Sequence, residues 1–222
     1  IDYALKNNYD YTLLINNDTI VEKNLIEVLL KTAQAKSFSV VQPLILNYNG
    51  KEIWNAGGRI NYFFGNFITR KKLGNSLNSS IELTEWFTGC CCLFKTKIFK
   101  DIGKLDERFF AYYEDVDFSL RLKKYGYKIG FTSKTQIYHY ESFSSISNNS
   151  KGGKLSPYIH YLNIRNHILI LKKHSDLFNS FGTRIYQIFK IISYSIYFIF
   201  RLRFIKLNMV YKGLLDSYKI KI

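Results

Sequence analysis

The feature that most constrains this chain is an alternation near its start: an apolar run, a helical stripe, then a second apolar run. "YTLLI", Tyr11 to Ile15, is short and continuous, which suits a strand buried on both faces. Asn16-Asn17-Asp18 ends it, and Thr19-Ile-Val-Glu22 matches a helix capping box. Leu25, Leu29 and Ala33, flanked by Ile26 and Leu30, supply the apolar stripe of the helix that follows. Ser39 to Leu46 is the second buried strand, with Pro43 the one residue that speaks against it. Strand, helix and strand in this order predict an α/β layer, with a mostly parallel central sheet flanked by helices.

The rest of the chain extends that layer. Asn47 to Ser80 is rich in Asn and Gly, with alternating patches such as "EIWNAGGRINYFFGNF", and reads as hairpins or a mobile loop. Trp86 to Phe94 is a strand broken by Gly89, and Lys97 to Ile102 a short helix ended by Gly103. The stretch "ERFFAYYEDVDFSLRLKKYGYKIGF" launches a helix in which Phe118, Leu122 and Tyr125 share a face. Lys123 and Lys124 suit its last turn and Gly126 its C′ position. Lys128 to Thr132 and Gln136 to Tyr140 read as strands, and Ser142 to Lys154 as a flexible loop. Ile185 to Ile205 is very apolar but carries Lys190, Arg201 and Arg203, so an amphipathic helix on a membrane surface or a packed helix fits better than a span.

Charge and cysteine usage narrow the partners. Lys plus Arg number 32 against 17 Asp plus Glu, a net +15 over 222 residues. That balance suits anionic partners such as acidic lipid headgroups, a phosphorylated substrate or nucleic acid. No groove-reading motif supports nucleic acid. Cys90, Cys91 and Cys92 are consecutive, which excludes a disulfide framework or a spaced zinc site and fits buried small side chains in a reducing compartment. No secretory signal opens the sequence. "IDYALKNNYDYTLLINNDT" reads as a helix end running into a strand, as though a domain were entered part-way.

Several side chains are placed for chemistry, each with a plainer reading beside it. Asp18 lies just past the carboxyl end of a buried strand, where open α/β sheets bind ligands. It suits a divalent cation or, equally, the support of its own turn. Glu114, Asp115 and Asp117 open a helix, where acids complement the dipole. Asp117 has Arg121 at i+4 and is explained by a surface ion pair. Asp115 has no partner so placed and follows the aromatics Phe109, Phe110, Tyr112 and Tyr113, so burial there would raise its pKa towards general-base work. His139 faces away from Tyr138 and Tyr140 and is a satisfied strand histidine or a metal ligand. A carboxylate with an imidazole favours Mn²⁺ or Mg²⁺ with open positions.

Three strings together resemble family 2 glycosyltransferases, in particular their rhamnosyltransferase-like branch: "YTLLINNDTIVEKNLIEVLL", "EWFTGCCCLFKTKIFKDIGKLDERFFAYYEDVDFSLRLKKYGYKIGFTSKTQIYHYESFS" and, more weakly, "YLNIRNHILILKKH". The resemblance implies a GT-A fold over 1–175, lacking its N-terminal nucleotide-binding part, and a basic, apolar helical extension over 176–222. It implies inverting transfer of a sugar, such as rhamnose, from a nucleotide-diphosphate donor to a glycan or lipid-linked acceptor. Asn16-Asn17-Asp18 then stands in the place of a D-x-D motif, with Asp18 and His139 as ligands of Mn²⁺ or Mg²⁺ and Asn16 and Asn17 beside the donor. Asp115 matches the catalytic base and Glu114 its neighbour at the acceptor hydroxyl, while Trp86, Gly89 and Tyr113 fall on the substrate side. The resemblance further implies surface-polysaccharide synthesis, peripherally at the cytoplasmic face of a bacterial membrane. The competing reading is a truncated, non-catalytic remnant that binds membrane or glycan.

Overall fold

The computed structural model describes residues 1–73, 81–140 and 155–222. A short α1 (Asp2–Lys6) leads into β1 (Tyr11–Ile15), followed by β2 (Thr19–Val21), α2 (Leu25–Ala35) and β3 (Val40–Asn47). Next come β4 (Ile53–Asn55), β5 (Gly58–Asn61), β6 (Asn66–Thr69), β7 (Ile81–Leu83) and β8 (Cys91–Lys95). The chain continues through α3 (Ile98–Ile102), a 3-10 turn (Glu107–Phe109), α4 (Glu114–Lys124) and β9 (Ile129–His139). Three helices follow: α5 (Pro157–Lys173), α6 (Ser180–Phe200) and α7 (Phe204–Lys219). The expected loop over 142–154 and the end of the 47–80 stretch lie outside the described residues.

The chain divides into two units. The first takes in Ile1–Ile60, Phe67–Glu107 and Glu114–Glu141; the second, where described, is 61–66, 108–113 and 155–222. The helix α5 falls in the same unit as α6 and α7.

In the first unit the strands run in the order β1-β8-β3-β9-β2, with β4 on β3 and β7 on β9. The α/β expectation holds, but a mostly parallel sheet does not. In this sheet, among the described residues, only β3 and β9 pair in parallel; β8 is antiparallel to both β1 and β3, and β2, β4 and β7 also pair antiparallel. The alternation of β1, α2 and β3 does make β1 and β3 run the same way. What it could not convey is that a strand from fifty residues downstream is inserted between them. The resulting mixed sheet is buried on both faces, residue by residue. Val41, Cys91 and Leu93 pack under Leu25, Leu29 and Ala33 of α2. Val40, Cys92 and Phe94 pack under Ile98 and Phe99 of α3 and Phe118 and Leu122 of α4. Each fully buried Leu or Phe in these layers contributes roughly 1.5–3 kcal/mol of transfer free energy.

Two local readings change. The capping box at Thr19 is instead the strand β2, whose Thr19 pairs with His139, and α2 begins only at Leu25. The hydroxyl of Thr19 donates to the carbonyl of Asn16, 2.7 Å away, and not to a helical amide. The two strands expected over 128–140 are one, β9, interrupted by a bulge. Its pairing to β3 jumps from Pro43↔Thr132 to Leu44↔Gln136. Pro43 has no N–H for the ladder, so the irregularity falls where a hydrogen bond is missing anyway.

The helix α4 stops as the sequence indicates. Gly126 has φ 76°, and the amides of Gly126 and Tyr127 return to the carbonyls of Lys123 and Leu122 at 3.0 and 2.9 Å, a Schellman motif. The helix also starts where Glu114, Asp115 and Asp117 were expected to open it, but the turn just upstream was not legible, for Phe110, Tyr112 and Tyr113 have φ of 63°, 65° and 74°. Left-handed backbone at three aromatic residues is strained and bars the helix from extending upstream.

In the second unit α5, α6 and α7 share a core of Ile164, Ile168, Phe198 and Val210. Pro157 sits in the first turn of α5, and the side chain of Asn179 accepts from the Gly182 amide to cap α6. No described helix is long and apolar enough to cross a membrane.

Candidate active site

The pairing of β2 with β9 sets Asp18 against His139. Asp18 occupies the turn between β1 and β2, and its carbonyl accepts from the Tyr140 amide at 2.9 Å. The Asn16 amide donates to the Cys90 carbonyl at 2.9 Å, which continues the β1–β8 ladder into the turn. The bulge in β9 fixes the far register, in which His139 ends opposite both Thr19 and Asn47. His139 Nε2 then lies 3.4 Å from Asp18 Oδ1, and the Trp54 ring meets the imidazole edge-on at 4.5 Å between centroids. Asp18 Oδ1 is buried and makes no hydrogen bond, as is His139 Nδ1.

These two donors fit a divalent cation. Two ligand atoms about 2.1 Å from one ion and roughly at right angles stand about 3 Å apart, close to the observed separation. Among the described residues no cluster of three or more His, Cys, Asp and Glu is assembled. An ion held by this pair alone would keep most of its positions open, as catalytic sites require. Asn16 and Asn17 lie in the same turn and are exposed to solvent.

The second set of groups is the acidic start of α4. Gly89 N–H donates to Asp115 Oδ2 at 3.0 Å, and Val116 N–H donates to Oδ1 at 2.8 Å. Burial pushes the Asp115 pKa up, against the pull of those amides and of the Thr88 hydroxyl. Glu114 is raised to about 7, first by burial and then by the charge of Asp115. Its Oε2 is buried without a hydrogen bond. Burial that disfavours the charge on both adjacent carboxyls raises their affinity for a proton, as general-base work requires. Gly89 itself lies against the pair: a Cβ built on it would stand 3.5 Å from Glu114 Oε1, in ordinary contact.

Residues 88–90 join the two sets. The Cys90 carbonyl holds the turn of Asp18, while the Gly89 amide holds Asp115. Thr88 N–H in turn donates to Gln42 Oε1 at 2.8 Å, and Gln42 Nε2 donates to Asn55 Oδ1 at 2.7 Å. Gln42, Asn55 and Thr88 are buried. These supporting residues were missed from sequence, although Gln42, a lone amide in the apolar run "VVQPLIL", was the available signal. The three cysteines are buried and unpaired, and burial raises their thiols, that of Cys91 to about 12. They are packing residues.

The remaining sequence candidates separate. Asp117 is fully buried, not on the surface; Arg121 Nε donates to it at 2.9 Å, while Nη1 and Nη2 of the same guanidinium donate to the carbonyls of Ile102 and Lys104. That pair anchors α4. Trp86 is buried at 7% exposure against Gly58, which leaves little of its ring to meet a sugar. Phe109 is core, whereas Phe110 and Tyr112 are exposed. Tyr113 belongs to the second unit, where it stacks on His167 at 5.4 Å. Asn166, from the weakly matching "YLNIRNHILILKKH" string, is wholly buried there. Its Nδ2 donates to the carbonyls of Phe109, Ala111 and Tyr112 at 2.8–2.9 Å, which holds the left-handed turn in place.

Known proteins resemble this chain in sequence and fold. The profile described as glycosyltransferase like family 2 matches residues 4–151. A low-salt glycan biosynthesis hexosyltransferase of Haloferax volcanii is 27% identical over 131 residues, 59% of this chain and 42% of that protein. An N-acetylglucosaminyl-diphospho-decaprenol L-rhamnosyltransferase of Mycobacterium tuberculosis is 35% identical over 60 residues, 27% of this chain and 20% of that protein. The chain thus spans less than half of either relative. The crystal structure of GalNAc-T7 with UDP, GalNAc and Mn²⁺ superposes with a TM-score of 0.54 at 14% identity, covering 73% of this chain and 31% of that one. That likeness bears out the GT-A fold.

Proposed function

Because this chain belongs to the glycosyltransferase-like family 2, we propose that it transfers a sugar, with inversion, from a nucleotide-diphosphate donor to a hydroxyl of a glycan or lipid-linked acceptor. The observation that carries this reading is the carboxyl pair Glu114–Asp115, both raised in pKa by burial, with Asp115 oriented by the Gly89 and Val116 amides. A sugar hydroxyl is a weak nucleophile, so a carboxylate must take its proton as it attacks the anomeric carbon. Asp115 is that base: two amide bonds fix its orientation, and burial raises its proton affinity. Glu114 accepts from the acceptor's hydroxyls and, while protonated, limits the charge repulsion on Asp115.

Asp18 and His139 would hold Mn²⁺ or Mg²⁺, with Asn16 and Asn17 beside the donor. The ion would neutralise the charge that develops on the departing diphosphate. Rhamnose is the sugar we favour, by likeness to the rhamnosyltransferase relative. We place the reaction at the cytoplasmic face of a bacterial membrane, in surface-polysaccharide synthesis; the net charge of +15 suits that anionic surface.

Donor hydrolysis provides the test. The chain is incubated with Mn²⁺ and a panel of nucleotide-diphosphate sugars, and release of nucleoside diphosphate is followed with and without acceptor glycans. Release that depends on metal and is accelerated by acceptor supports transfer. Donor binding with no release under any acceptor would instead favour the non-catalytic reading.

A further inference from the structure

The helix α6 is apolar on the side it turns away from its neighbours. Its inner face carries Gln187, Lys190, Tyr194 and Phe198. Lys190 Nζ donates to His167 Nδ1 at 2.8 Å, and Tyr194 and Phe198 pack on the His160 ring of α5. On the opposite side Phe181, Ile185, Ile188, Ile192, Ile196 and Ile199 recur at helical spacing, each between 45% and 68% exposed. Phe189 and Phe200 widen the stripe, and Leu202, Phe204 and Ile205 continue it through the turn into α7. An ordinary surface helix is polar on this side. A contiguous stripe of this kind marks an interaction surface.

Charge identifies the occupant. Between Asp176 and Asp216 the sequence holds no carboxylate; of the six cations in that interval Lys190 and Lys206 are turned inward, and Arg184, Arg201, Arg203 and Lys212 remain. Arg184 and Arg201 are exposed, one near each end of α6. An apolar face framed by cations, on a helix that does not span, is the pattern of a helix lying in the interface of an anionic bilayer. We propose that the outer face of α6 docks on the surface of an anionic membrane, with its Ile and Phe side chains at the acyl boundary and Arg184 and Arg201 among the headgroup phosphates. This deepens the membrane location proposed above and rests on it, but not on the sugar chemistry.

Flotation of the whole chain with vesicles separates the two. Vesicles of phosphatidylcholine containing phosphatidylglycerol are expected to carry the protein, and vesicles of phosphatidylcholine alone to carry at least about tenfold less. Ile188→Glu with Ile192→Glu should cut binding to the anionic vesicles by at least about tenfold, with helical circular dichroism unchanged. Should that variant fail to fold, Phe189→Trp decides, since its added fluorescence must be quenched by brominated lipid. Binding that is equal on neutral vesicles, or absence of quenching, would overturn the proposal. So would a concentration-dependent dimer that Ile192→Glu dissolves in a protein that ignores vesicles. Loss of sugar transfer with vesicle binding intact would count against the transfer reading and leave this surface standing.

Discussion

Asp115 accepts two backbone amides and is nevertheless raised in pKa, which means that desolvation outweighs two favourable hydrogen bonds. Its neighbour Glu114 has no such bond on Oε2 and rises to about 7. A folded state that keeps this proton up to about pH 7 binds more protons than the unfolded chain, which releases it near 4.5. Stability therefore declines as pH rises through that window. Glu114→Gln removes its share of the decline, leaving that of Asp115: thermal unfolding should show the variant more stable than wild type at pH 8, by up to about 3 kcal/mol, and little different at pH 4. A variant less stable at pH 8 would show that the carboxylate is satisfied. Asp18 and His139 make a separate claim. Calorimetry with Mn²⁺ and a nucleotide sugar should lose at least about tenfold in affinity for Asp18→Ala and for His139→Ala. Affinity equal to wild type in either would remove that residue from the metal set.

At the scale of elements, what could be read from sequence was local and what could not was paired at long range. The apolar run of β1, the stripe of α2 and the Gly126 end of α4 follow from periodicity and cap chemistry within a few residues. Thr19-Ile-Val was misread because three residues carry no decisive period, and its partner His139 lies far away in sequence. The insertion of β8 between β1 and β3 is likewise invisible to any local window. The aromatic turn before Glu114 was illegible for another reason: left-handed backbone at Phe110, Tyr112 and Tyr113 violates residue preference and is held by Asn166 from α5. Asn166→Ala removes the side-chain donor from the Ala111 and Tyr112 carbonyls and one of the donors from that of Phe109, which Arg165 and the Ala111 amide also bond, and should lower stability by about 1–3 kcal/mol in urea unfolding. A change below half of that would mean the turn holds itself.

At the scale of the molecule, family membership rests on residues 4–151, most of which lie in the first unit, whereas the cationic, carboxylate-free interval from 177 to 215 belongs to the second. The proposed chemistry and the proposed membrane contact are thus separable by mutation. The central claim is proton abstraction by Asp115. The most direct measurement is acceptor-dependent turnover of Asp115→Asn beside its donor affinity in the same preparation. The account predicts that turnover falls by at least about a thousandfold while Mn²⁺-dependent donor binding stays within about twofold of wild type. Turnover retained at the wild-type rate, with donor binding unchanged, would contradict it.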